Sequence, residues 1–223
     1  MNFERIVNSK FYNFLSTLYN YVIINMIWFF LSFIGLGIFT IFPATLCVYI
    51  LINTYLNEQD FAIFKTFFKV FGKIYWKAQK VFIVFFMIGI ILYFNVRIYY
   101  FQVVNQITFI NSIGFWITCI IILIYFLALI QVFYIFLYFP EYKTFKTIKF
   151  AFLMAIGYLF SSLLILILTI AAFFVIFLYP ILFPLIFIIL ISALTYVSLI
   201  LIKPKYQKIL PNKKALDVFD FSE

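Results

Sequence analysis

A chain of 223 residues that is 68% hydrophobic and only 10% charged, with mean hydropathy +1.20, carries more apolar surface than a soluble domain can hide. Its net charge is +9, but the lysines lie in short clusters beside apolar runs, so the expected partner is a bilayer with anionic headgroups and not nucleic acid. Cys47 and Cys119 stand singly in apolar stretches, and there is no histidine and no acidic cluster, so neither a metal nor any other cofactor is expected.

Met1 to Ser16 is too polar and too aromatic for a cleaved leader, so the first apolar run reads as a retained anchor. That block extends from Leu18 to Leu56 and is interrupted by Gly35-Leu36-Gly37 and by Pro43. Two readings fit it. Either two helices turn at the glycines, the second kinked at Pro43, or one helix is followed by a re-entrant segment at about 38–56. Glu58 to Lys80 then carries five lysines and two acids. Val81 to Val103 is a third span with Arg97 near its far end, where snorkelling to the headgroups would accommodate the charge. Ile113 to Phe139 is a fourth span. After the charged Glu141 to Lys149, Phe150 to Tyr179 is a long fifth. Pro180 and Pro184 mark a turn before a sixth, Ile186 to Ile202.

Charge orders these spans. Six crossings place the basic clusters around Arg5 and Lys10, Lys65 to Lys80, Lys143 to Lys149 and Lys203 to Lys214 on one side. The positive-inside rule makes that side cytoplasmic, together with both termini. The expected architecture is therefore all-α: a polytopic membrane bundle of about six transmembrane helices, in a single membrane domain over 1–202. An amphipathic interfacial helix is expected at about 60–78, and 203–223 reads as a disordered cytoplasmic tail whose acidic-aromatic end would suit partner docking.

Three residue sets stand out. Lys65, Lys69, Lys73, Lys77 and Lys80 share a helical face of about 120° at 100° per residue, opposite Phe61, Phe64, Phe68, Phe71 and Tyr75. That is the pattern of a helix anchored at a membrane surface, and the same face would suit a cytoplasmic partner. Ala151, Ala155 and Ser162, with Tyr158, line one face of the fifth span, where small residues permit close helix packing or a homo-oligomer seam. Asn25, Thr40, Thr45, Asn53, Asn95 and Gln131 are polar groups inside apolar segments. They read as interhelical hydrogen-bonding glue, or as the lining of a cavity for a small solute. Without histidine or an intramembrane acid, a serine or cysteine nucleophile has no ordinary base, so no enzyme and no catalytic residue is expected.

Asn25-Met26-Ile27-Trp28 followed by Thr40-Ile41-Phe42-Pro43-Ala44-Thr45 resembles the amino-terminal signature of the YesL-like family, small bacterial membrane proteins with a domain of unknown function. Phe64-Lys65-x-Phe67-Phe68-Lys69 resembles that family's connector, and Tyr138-Phe139-Pro140-Glu141 with Lys149-Phe150-Ala151 its later juncture. The chain departs from the pattern in having Gly35-Leu36-Gly37 where a proline is expected. The resemblance implies a supporting role in carbohydrate utilisation beside a sugar-uptake ABC transporter, with its subunits or a membrane sensor as partners. It carries over Asn25, Trp28, Thr40, Pro43 and Thr45 as signature positions only. A small transporter or solute-binding membrane subunit is the alternative.

Overall fold

A computed structural model describes residues 10–57, 61–105 and 108–209. They form seven α-helices: α1 (Lys10–Ile34), α2 (Ile41–Leu56), α3 (Ile63–Asn105), α4 (Phe109–Tyr138), α5 (Thr144–Gly157), α6 (Leu159–Leu178) and α7 (Ile191–Ile209). A 3-10 turn, Pro180–Leu182, and a π-helical segment, Ile186–Leu190, precede α7. The all-α membrane bundle read from the composition is the fold observed. Within the expected single domain, the helices gather into two compact units, Met1–Tyr75 with Leu168–Glu223, and Trp76–Ile167.

In the first unit α1, α2 and α7 pack on one another. Their polar contacts give the directions. Thr17 meets Tyr55 at one end of the α1–α2 pair and Trp28 meets Thr45 at the other, so the two run antiparallel. Tyr49 meets Ser198 and Asn57 meets Lys203, so α2 and α7 run parallel. α2 is buried almost all round, from Phe42 to Thr54 with only Thr45 less covered. This explains why a helix of 16 residues, about 24 Å long, serves where the hydrocarbon is about 30 Å thick. Neighbouring helices sheathe it, so it meets little lipid. Five other helices are long and apolar enough to cross a membrane. Of the two readings of 38–56, the antiparallel pairing favours a full return along α1.

In the second unit α3 and α4 form a long antiparallel pair. Tyr99 lies on Gly114, Phe85 stacks at an angle on Tyr125, and Lys77 sits over Phe136. A Cβ at Gly114 would overlap the Tyr99 ring, so this crossing demands glycine. The Tyr125 hydroxyl donates to the Phe85 carbonyl at 3.1 Å, a polar tie inside an otherwise apolar seam. α5 packs closely along α4.

Four sequence expectations changed in detail. The boundary expected between an interfacial helix ending near 78 and a span starting at Val81 is absent, because α3 is one uninterrupted helix of 43 residues. At 1.5 Å per residue it is about 65 Å long, roughly twice the hydrocarbon thickness. The long fifth span is instead two helices, α5 beginning at the Lys143 cluster and α6, separated at Tyr158. Pro43 kinks nothing. It is the third residue of α2, where a backbone N–H would have no helical partner, so proline costs no hydrogen bond there. Finally, α7 runs past Ile202 to Ile209 with Pro204 inside it. The tail beyond, like the amino-terminal cluster around Arg5, lies outside the described residues.

Candidate functional site

Of the signature residues, Thr40 and Pro43 lie at the elbow between α1 and α2, Trp28 and Thr45 further in, and Asn25 deeper along α1. The first helix ends at Ile34 and is followed by Gly35, then Leu36 at φ 53° and Gly37 at φ 73°. The N–H of Leu36 bonds Phe33 O at 3.1 Å and that of Gly37 bonds Ser32 O at 2.8 Å, a Schellman closure with leucine in the left-handed position usually held by glycine. Thr40 begins α2, yet its hydroxyl does not cap α2. It reaches back to donate to Leu31 O at 2.7 Å, a second hydrogen bond to a carbonyl that also accepts the Gly35 N–H at 3.1 Å. A Cβ on Gly35 would overlap the Thr40 side chain, so the glycine makes room for that bond.

One turn further in, the Trp28 indole N–H donates to Thr45 Oγ1 at 2.9 Å, and Thr45 Oγ1 donates to Ile41 O at 2.7 Å. Asn25 is fully buried and uses its whole amide on the π segment and the first turn of α7. Its Nδ2 donates to Ile186 O at 2.9 Å and Phe187 O at 2.8 Å, while its Oδ1 accepts from the Ser192 N–H at 3.0 Å. Phe29 and Phe30 cover this contact by packing edge-on against Phe187. Asn25, Trp28, Thr40 and Thr45 therefore act as a clasp that ties α1 to α2 and to the entry of α7, while Pro43 lies buried in the first turn of α2 and makes no hydrogen bond of the clasp.

Asn53 behaves differently. Its side chain is fully buried, and neither Nδ2 nor Oδ1 has a hydrogen-bond partner. Two other amides of the apolar segments are engaged: Gln131 Nε2 donates to Ser162 Oγ at 2.6 Å, and Asn95 Nδ2 donates to Ile91 O one turn earlier in its own helix, whereas the buried Gln79 has no partner for its Oε1. Asn25, Thr40 and Asn53 belong to the first unit and Gln131 to the second.

The lysine ladder divides. Lys65, Lys69, Lys73 and Lys80 are exposed, whereas Lys77 is half-buried, donates to Pro140 O and lies 5.0 Å over the Phe136 ring. Helical geometry explains the split. Phe67, Val70, Ile74 and Ala78 form a buried stripe, the lysines a second face and the aromatics a third, spaced about 95–140° apart around the helix. Lys77 is the lysine nearest the buried stripe. Phe64 and Phe68 on the aromatic face are exposed, as expected, while Phe71 and Tyr75 are half-buried. Arg97 is exposed and its guanidinium lies 3.5 Å from the Tyr93 hydroxyl.

Ala151, Ala155 and Ser162 are buried within their own unit. Ser162 accepts from Gln131 on α4 and donates to the Tyr158 carbonyl at the α5–α6 break, at 3.0 Å. Cys47 is buried and Cys119 partly covered. Among the described residues no charged side chain is buried.

Sequence reasoning missed the π segment, the left-handed Leu36 and the Tyr49–Ser198 and Asn57–Lys203 ties. Only Asn25 pointed towards the first of these, since a buried amide demands partners. Nothing in the apolar run Ile186 to Leu190 says where they would be.

Residues 21–96 match the family model described as "Protein of unknown function, DUF624", a stretch that takes in the clasp, α2 and the lysine ladder. The chain is also 28% identical over 153 residues to the Bacillus subtilis (strain 168) "Uncharacterized protein YteU", covering 67% of this chain and 65% of that relative. No solved structure matches. The resemblance first carried by Asn25, Trp28 and the Thr40–Thr45 run is thus shown: the chain resembles the YesL-like family, that of DUF624.

Proposed function

We propose that this protein is a non-enzymatic accessory or regulatory component of the bacterial cytoplasmic membrane, acting beside a carbohydrate ABC uptake system. In this reading both termini are cytoplasmic. The exposed lysines 65, 69, 73 and 80 meet anionic headgroups, transporter subunits or a membrane sensor there. One observation carries the proposal. The signature polar groups are spent on other helices, through Asn25 to the π segment, Trp28 to Thr45 and Thr40 to Leu31, so they are engaged within the bundle, and the exposed lysine face is the candidate surface for recognition. A homo-oligomer, if formed, uses a surface other than Ala151, Ala155 and Ser162.

The test is cross-linking in native membranes followed by mild-detergent purification. Recovery of a transporter or sensor subunit that is lost when Lys65, Lys69, Lys73 and Lys80 are changed to Gln supports the reading. A chain recovered alone under several detergents overturns it. A second reading, a small-solute binding subunit, is favoured by Asn53, whose buried amide has no partner and would suit a polar guest. Stability of Asn53→Leu discriminates the two, as developed below.

A further inference from the structure

A π turn holds one residue more than an α turn and amounts to a one-residue insertion in a helix. The insertion at Ile186–Leu190 runs directly into α7. In such a segment the direct α-helical ladder is interrupted, and here the Asn25 carboxamide stands in the gap. It links Phe187 C=O to the Ser192 N–H through its own N–H and C=O, and takes Ile186 C=O as well. A side chain inserted in this way replaces a missing backbone bond with a donor and an acceptor on one rigid plane.

We propose that Asn25 is a register latch for the last helix, and that its release lets α7 change register by one residue. The consequence is geometric. Closing the π turn to α would rotate everything after Leu190 by about 100° and advance it by about 1.5 Å. The buried face Ser192, Thr195, Ser198, Leu199, Ile202 and Tyr206 would then turn away. So would the Ser198–Tyr49 contact at 3.2 Å and the Lys203–Asn57 contact at 2.6 Å, the latter at the far end of α2. The latch thus couples the Asn25 level of α1 to the Lys203 end of α7, along one helix with two discrete hydrogen-bonding arrangements. This goes beyond the accessory role proposed above and does not depend on which partner the lysine face binds.

The test combines Asn25→Leu with deletion of Ile188, singly and together, in a background where Cys47 and Cys119 are Ala. Register is read by bifunctional thiol cross-linking of Asn57→Cys to Lys203→Cys, and stability by thermal unfolding in detergent. Asn25→Leu alone should lower cross-linked product by roughly tenfold, since the π turn loses its hydrogen bonds and closes. Deletion of Ile188 removes the insertion while keeping the downstream register, so cross-linking persists but Asn25 is orphaned and the protein unfolds at lower temperature. The double variant should keep the cross-link and unfold above both singles. Full cross-linking in Asn25→Leu, together with simple additivity of the two changes, would overturn the latch. A poorly folded Asn25→Leu leaves the rescue by the double variant to decide. Failure of that rescue also overturns it.

Discussion

Replacing Asn53 by Leu asks whether the interior of the first unit is closed or holds a guest. Asn53 and Asn25 are both fully buried on neighbouring helices, yet the structure gives them opposite signs. The Asn53 amide has lost its solvent and gained no partner on either atom, at a cost of about 1–3 kcal/mol for an unsatisfied buried group. Leucine is close in size and pays no such cost, so Asn53→Leu should stabilise by about that amount. On the scale of soluble domains of 150–250 residues, each kcal/mol is about 2–4 °C in Tm. A rise of roughly 2–12 °C is therefore expected in detergent. Asn25→Leu should do the reverse, because it removes three buried hydrogen bonds and, as the π turn closes, the packed face of α7, with a loss of about 3 kcal/mol or more. Thermal unfolding of both variants at matched detergent and lipid provides the comparison. A fall in Tm for Asn53→Leu would refute the closed-interior argument, since it means that the amide is paired in the membrane. A bound polar solute then becomes the better account.

Other predictions follow from the elbow, its glycines and the lysines. Leu36→Gly should stabilise by about 1–2 kcal/mol, because leucine at φ 53° carries the left-handed penalty that glycine lacks; thermal unfolding reads it. Gly35→Ala should destabilise by about 1–3 kcal/mol, since the new Cβ displaces the Thr40 hydroxyl from Leu31 O. Trp28→Phe and Thr45→Val each remove the same indole hydrogen bond, so a double-mutant cycle should show a coupling of about 1 kcal/mol; independent effects would contradict the contact. Changing Lys65, Lys69, Lys73 and Lys80 to Gln should strip co-purifying anionic lipid, read by native mass spectrometry, at about 1 kcal/mol per lysine near the headgroups. Lys77→Gln should leave lipid retention unchanged and lower Tm instead, because Lys77 is held by Pro140 O and Phe136.

The amino-acid sequence by itself determined the solvent of this protein, its helical class and the approximate position of each apolar segment. These follow from local quantities: run length, charge density and the 3.6-residue period. It also marked the polar residues that needed partners, because a buried amide or hydroxyl announces an unmet demand wherever it lies. Tertiary structure alone decided which demands were met and by whom. Asn25 is bonded to a segment 161 residues away and Tyr49 to one 149 residues away, and no local pattern encodes such pairings. Lys77 has the same spacing as its exposed neighbours, yet packing on α4 takes it out of the ladder. Pro43 read as a kink because its helix start was unknown; placed in the first turn, its missing N–H costs nothing. The π turn is the clearest case. An insertion of one residue in an unbroken apolar run leaves no trace in periodicity, and the amide of Asn25, arriving from another helix, supplies the partners its backbone needs.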